Sequence, residues 1–206
     1  CGVAQEHFLP AGPFAILPMT GHRSSIVWTE KETLAPSILA LSKKEFTEEL
    51  NLRFGDYLGN LKTIDPIFSY PLGFLHADRY IMPRLALAGD AAHAIHPIAG
   101  QGLNIGIQDA AVLAEIITEA VRLGLDPGSV NVLEAYEQRR RFDNTMMLAA
   151  TDGLNRLFSN DITPIRIFRD IGLAMVNKTP PLKRLLMRQA MGVLGDLPRL
   201  IRGEKL

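Results

Sequence analysis

The chain has 206 residues, 47% of them hydrophobic and 21% charged, with Lys+Arg 22 balanced by Asp+Glu 22. That length can bury a real core as one or two domains, and the absence of a net field argues against nucleic acid as a partner. A single Cys excludes an intramolecular disulfide framework and a Cys-based zinc site and fits a reducing compartment, while no apolar run approaches the roughly 20 residues that span a bilayer.

In sequence order, residues 13–29 predict a β-hairpin. Phe14 to Met19 is one strand, Thr20-Gly21-His22-Arg23 the turn, and Ser25 to Thr29 the other strand. Trp28 lies in the second strand, where sheet packing explains it more readily than a substrate contact does. Ser42 and Glu45 have the spacing of a capping box. Phe46, Leu50 and Phe54 follow at helical spacing, and Gly55 stops that helix. Ile64 to Ala77 reads as strand, proline interruption and strand, with Pro66 and Pro71 marking edge or bulged positions.

The stretch Pro83 to Gln108 has the composition of a site. A short apolar strand, Leu85 to Ala88, leads into Gly89-Asp90, then a loop with His93, His96 and Pro97, then Gly100-Gln101-Gly102. A helix is expected from about Leu103. Gly89, Gly100 and Gly102 allow a backbone to approach a ligand where a Cβ would obstruct it. A helix opening at such a turn directs unpaired N–H groups and a positive dipole end at whatever sits there. Asp90 stands at the carboxyl end of a strand, where α/β proteins place ligand contacts. Asp90, His93 and His96 are spaced three apart, which invites a metal reading. Pro97 and the glycines disfavour a regular helix through them, and a structural or pocket-lining role for the histidines is preferred.

Leu103 to Arg122 is nearly apolar around its circumference and is expected to be buried on several sides. Asp126-Pro127-Gly128 is a turn. Asn131 with Glu134 forms a second capping box, opening a long helix to Leu157. Thr163-Pro164 and Thr179-Pro180 each place an N-cap before Pro at a first helical position. From Asn160 onward the tail carries nine Lys/Arg against four acids. Such an amphipathic basic tail is a solvated helical cap or a contact for an anionic membrane or a protein partner. The fold class is α+β, in three segments: residues 1–82 as sheet, 83–125 as the strand-loop-helix site, and 126–206 as a helical region.

The strings G-D-A-A-H (89–93), H-P (96–97) and G-Q-G-L-N (100–104), followed by Gly106 and Asp109, carry a resemblance. They resemble the second flavin-binding motif of the FAD-dependent aromatic hydroxylases, the class A flavoprotein monooxygenases. The H-P-x-x-G-Q-G-x-N form, with T-D-G-L-N-R-L-F-S-N at 151–160, is similar to the ubiquinone-biosynthesis branch. The resemblance covers essentially all 206 residues but only the C-terminal half of such an enzyme. Two motifs upstream of this region, G-x-G-x-x-G and a D-G pair near the middle of the family's sequences, have no counterpart, and the first residue is Cys1. A C-terminal fragment of an α/β FAD-binding fold is therefore expected, inactive alone and holding FAD weakly or not at all.

The resemblance implies FAD as cofactor, NAD(P)H as reductant, and O2 with an aromatic polyprenyl phenol as substrates. It implies that Asp90 accepts a hydrogen bond from a ribityl hydroxyl, where the residue could otherwise be a turn aspartate. Gly102, Leu103 and Asn104 would direct N–H groups at the N1–C2=O edge of the isoalloxazine, favouring its anionic reduced form; the Asn104 side chain could equally cap the helix. Pro97 would stiffen the loop beside the ring, and Gln101 occupies a position that varies in the wider family. Residues 1–82 would belong to the substrate-domain sheet and 83–125 to the FAD domain. No covalent catalytic residue and no metal are expected, because the flavin supplies the chemistry. A cytoplasmic location, peripheral on the inner membrane, follows from the same resemblance.

Two other readings compete. In an NAD(P)-binding Rossmann protein the glycines would follow the strand in a tight turn, whereas here about ten residues intervene. A non-catalytic scaffold derived from a flavin hydroxylase would assemble through the helical tail.

Overall fold

A computed structural model describes residues 2–55, 59, 61–63, 66–94, 100–158, 163–190 and 197–206. It contains two compact units, Cys1–Leu72 with Phe158–Asp161, and Gly73–Leu157 with Ile162–Leu206.

In the first unit β1 (Gln5–Leu9), β2 (Gly12–Pro18) and β3 (Ser24–Trp28) form an antiparallel sheet in the order β1-β2-β3. The predicted hairpin is β2–β3, with Phe14 opposite Trp28 and Ile16 opposite Ile26. The sequence reading missed β1. Its Gln-Glu-His start does not alternate, and it joins the sheet through the backbone register Gln5–Ile16 to Leu9–Gly12. After the short helix α1 (Ala35–Leu39) comes α2 (Lys43–Phe54), opened by the expected capping box and ended at Gly55, whose φ is +74°. Glu45 accepts from the Ser42 N–H at 2.9 Å, and its own N–H reaches the Ser42 hydroxyl. Phe14, Ile16, Leu50 and Phe54 make the core, with Trp28 and Phe46 packed on it. The Arg53 guanidinium lies 4.4 Å from the Trp28 ring centroid, so Trp28 is a packing residue. Of the strands expected over 64–77, Ile64 and Asp65 lie outside the described residues. Pro66 to Phe74 forms no regular element, and only Leu75–His76 is paired.

Among its described residues the second unit contains four two-residue strands in two antiparallel pairs. β4 (Leu75–His76) pairs with β7 (His93–Ala94), and β5 (Ile81–Met82) with β6 (Leu85–Ala86). The strand expected at Leu85 to Ala88 is thus shorter. It folds back on β5 through Pro83-Arg84, with Arg84 at φ 60° and Leu85 exposed. A 3-10 turn, Gly89–Ala91, follows, and then α3 (Gln101–Arg122) and α4 (Val130–Phe158). Tyr80, Ile81, Ala92, Val112, Leu133 and Tyr136 form the core.

Three expectations are corrected here. The helix α3, expected from about Leu103, begins at Gln101, and it is buried along one face and not on several sides: Leu103, Ile107 and Val121 are exposed, and its buried face includes the polar Gln101, Asp109 and Glu115. Asn131 is not a cap but lies inside the first turn of α4, which begins after Ser129. Thr179 precedes Pro180 at the start of α6 (Pro180–Ala190) as expected, but its hydroxyl donates back to Met175 O of α5 (Thr163–Lys178) at 2.9 Å and does not cap α6.

Candidate flavin site

The site is assembled by α3 and the Gly89–Ala91 turn, which pack directly on each other. Their contact is a backbone approach. A Cβ on Gly106 would stand 3.3 Å from the Gly89 Cα, and a Cβ on Gly89 would stand 3.8 Å from the Gly106 Cα. Gly89 also adopts φ +59°, in the left-handed region that L side chains disfavour. The turn therefore lies against the helix at a distance that leaves little slack for a Cβ at Gly106. Asp90 projects outward from it, exposed to solvent.

The start of α3 is set by Gly100, an N-cap at φ 62° with no side-chain capping hydrogen bond. Nothing lies within 4 Å of where its Cβ would be. Gly102 is half-buried, and Leu103 and Asn104 are exposed. Asn104 does not cap the helix; its amide reaches the Gln101 Oε1 at 3.4 Å, and Gln101 is itself buried. Pro97 and His96 lie outside the described residues. Gly89, Asp90, Gly100, Gln101, Gly102, Leu103 and Asn104 thus share one unit. A helix N-terminus with no side-chain cap, open space beside Gly100 and an exposed carboxylate fit a ligand with hydroxyl donors and an electron-rich carbonyl edge, as FAD has.

Below this surface lies a polar cluster that the sequence reading overlooked. Asp109 is 0% exposed and its carboxylate collects four donors. Oδ2 accepts from the Gly89 N–H at 2.9 Å and bonds His93 Nε2 at 2.6 Å. Oδ1 accepts from Arg140 Nε at 2.7 Å and Asn144 Nδ2 at 3.3 Å. Arg140, 2% exposed, also donates to Asn144 Oδ1, Gln108 Oε1 and Asp143 Oδ2. Tyr80 OH joins Asn144 to His76, and Tyr136 donates to Leu87 O at 2.7 Å. His93 is 1% exposed, and its Nε2 is engaged by the Asp109 carboxylate. One signal could have exposed the cluster: a carboxylate, Asp109, on the same helical stripe as Ile105 and Val112.

Burial pushes both the Tyr80 and Tyr136 phenols up, so they remain donors. For Asp109, burial pushes the carboxyl up, but hydrogen bonds from His93, Arg140 and Gly89 and the Arg140 charge outweigh it and hold the group below its ordinary value. The sign of the linkage follows. Below the unfolded-state pKa, about 3.9, the unfolded protein binds a proton that the folded protein refuses. The stability contributed by this carboxylate is complete above that pH and disappears as pH falls through the folded pKa. The melting temperature of Asp109→Asn should lie well below that of the unaltered protein at pH 7, and the gap should narrow as pH falls from about 4. A gap constant down to about pH 3 would contradict this.

A family model described as an FAD binding domain matches residues 4–151. Ubiquinone hydroxylase UbiL of Rhodospirillum rubrum is 57% identical over 208 residues, across 100% of this chain and 48% of that protein. The human mitochondrial ubiquinone biosynthesis monooxygenase COQ6 is 35% identical over 218 residues, across 90% of this chain and 47% of its own length. The chain spans about half the length of these curated relatives. Among solved structures, p-nitrophenol 4-monooxygenase PnpA of Pseudomonas putida superposes with a TM-score of 0.68 at 22% identity, over 92% of this chain and 48% of that one. The Diels-Alderase PyrE3 reaches 0.69 at 20% identity, over 94% and 41%. These likenesses show the fold, and that fold serves proteins named for different reactions.

Proposed function

This chain belongs to the FAD-binding-domain family, and from that membership we propose that it supplies the flavin-ring side of an NAD(P)H-using aromatic monooxygenase. Its substrate is a polyprenylated phenol on the way to ubiquinone, the class of pathway named by its relatives. The observation that carries the reading is the Gly89–Asp90 turn lying against the uncapped N-terminus of α3. When bound, FAD supplies the redox chemistry, passing reducing equivalents from NAD(P)H to O2 so that one oxygen atom enters an electron-rich ring and the other leaves as water.

The residues of this chain bind and orient. The Asp90 carboxylate accepts a ribityl hydroxyl hydrogen, an arrangement that suits a charged, exposed acceptor. The first-turn N–H groups at Gly102, Leu103 and Asn104 face the ring edge where negative charge collects on reduction, and stabilise it. Gln101, buried and accepting from the Asn104 amide, holds the first turn from within. Residues 1–82 serve the substrate-domain sheet, 83–125 the FAD domain, and 126–206 a helical region.

Among the described residues no helix is long and apolar enough to cross a membrane. The helix α6 exposes Leu185, Leu186 and Met187 and carries Lys183, Arg184 and Arg188. This supports peripheral contact with an inner membrane from its cytoplasmic side, or with a protein partner, where a polyprenyl substrate would be met.

The test is an absorbance spectrum of the protein expressed from its complete reading frame beside these 206 residues. Flavin bands are expected in the former and weak or no bands in the latter. In the longer protein, Asp90→Ala should weaken FAD binding about tenfold through loss of one charged hydrogen bond. A longer protein that stays colourless and takes up no added FAD would reject the hydroxylase and leave the scaffold reading.

A further inference from the structure

We propose that Asp109, clamped by Arg140, is a positioning residue that sets Asp90 in register with the N-terminus of α3. The proposal rests on the flavin reading of the Gly89–Asp90 turn. Asp109 is fully buried, inside the surface that carries Asp90. Its two oxygens divide the work. Oδ2 gathers both ends of the segment that carries Asp90, through the Gly89 N–H on one side and the His93 ring on the other. Oδ1 faces α4, where Arg140 and Asn144 hold it. Residues 89 and 93 are thus pinned to one atom, and Asp90 between them is turned outward.

The carboxylate sits on α3 itself, five residues beyond Asn104, or about 7.5 Å along a helix rising 1.5 Å per residue. One rigid helix therefore carries the N–H groups aimed at the ring edge and the anchor for the carboxylate aimed at the ribityl group. Rotation of the turn relative to the helix would spoil both contacts together. The Gly89–Gly106 approach reinforces the register, since the turn already lies at contact distance. Only a carboxylate can serve both sides: an amide at 109 has one acceptor oxygen, so it satisfies Gly89 or Arg140 but not both. A group held in this way by surrounding donors keeps a binding site within the tolerance that ligand contacts require.

An ordinary core ion pair would stabilise the fold without affecting the flavin, and the experiment separates the two roles. It uses the protein from the complete reading frame, stripped of FAD and titrated with it. Asp109→Asn is compared with Glu115→Gln, which removes the charge from another α3–α4 pair, buried Glu115 with half-buried Arg139 at 2.8 Å, six residues further along α3 than Asp109. Both should lower the melting temperature of the FAD-free protein. Asp109→Asn should weaken FAD binding by about 10- to 100-fold and change the visible circular dichroism of the bound flavin. Glu115→Gln should leave both unchanged. If Asp109→Asn does not fold, His93→Leu keeps the Asp109–Arg140 pair, frees one end of the segment and should weaken FAD binding by about tenfold. Equal flavin affinity in Asp109→Asn (or in His93→Leu where that variant is the one that folds) and the unaltered protein overturns the positioning role while leaving the flavin reading intact. An unaltered protein that binds no FAD overturns both.

Discussion

Arg140→Met should destabilise the protein by about 3–5 kcal/mol, the cost of leaving a buried carboxylate without its cation. Arg140 is 2% exposed and its guanidinium binds Asp109, Asn144, Gln108 and Asp143. Met fills similar volume, so a cavity contributes little to the loss. What remains is the Asp109 carboxylate, 0% exposed, held only by Gly89, His93 and Asn144. If uncompensated charge is the cause, neutralising it should return stability: Arg140→Met with Asp109→Asn should be more stable than Arg140→Met alone. Urea unfolding of the two single variants and the double variant measures this directly. A double variant as unstable as the sum of the singles would show that the pair acts through packing, not charge.

That pair also marks where sequence reading stopped. The Ser42–Glu45 box was legible because it is a local arrangement between neighbours three residues apart, fixed by backbone geometry, and the Gly-rich turn likewise placed the start of α3 to within two residues. The strings around Gly89 and Gly100 carried the flavin resemblance for the same reason. Asp109 and Arg140 lie 31 residues apart on different helices. No local rule matches an acid in an apolar helix with one arginine of the run Arg139-Arg140-Arg141. The same limit explains α3. Apolar Leu103, Ile107 and Val121 suggested burial on several sides, yet hydrophobicity says which faces can be covered, not which are. In β1 the strand depends on the neighbouring β2 backbone, and its own polar residues give no alternation to read.

Gly106→Val should abolish tight flavin binding while leaving α3 helical. The Cβ alone would stand 3.3 Å from the Gly89 Cα. Gly89 resists retreat because its N–H is held at 2.9 Å by Asp109. Valine adds two methyl groups beyond that Cβ, and its χ1 in a helix has essentially one rotamer, so they cannot swing clear. Overpacking of this kind costs about 1–3 kcal/mol, and the turn must move away, taking Asp90 with it. Gly106→Ala separates the steric term from helix propensity. It gains up to about 1 kcal/mol of helix stability against a contact that needs only a few tenths of an ångström of give, so it should remain near-neutral and keep its flavin. Gly153→Ala in α4, with nothing within 4 Å of its Cβ position, is the propensity control and should stabilise without touching the cofactor. Of these three substitutions, only Gly106→Val should lower flavin content and affinity. Were Gly106→Val to retain full affinity, the close approach of turn and helix would be incidental to the site, and the register of Asp90 would rest on Asp109 alone.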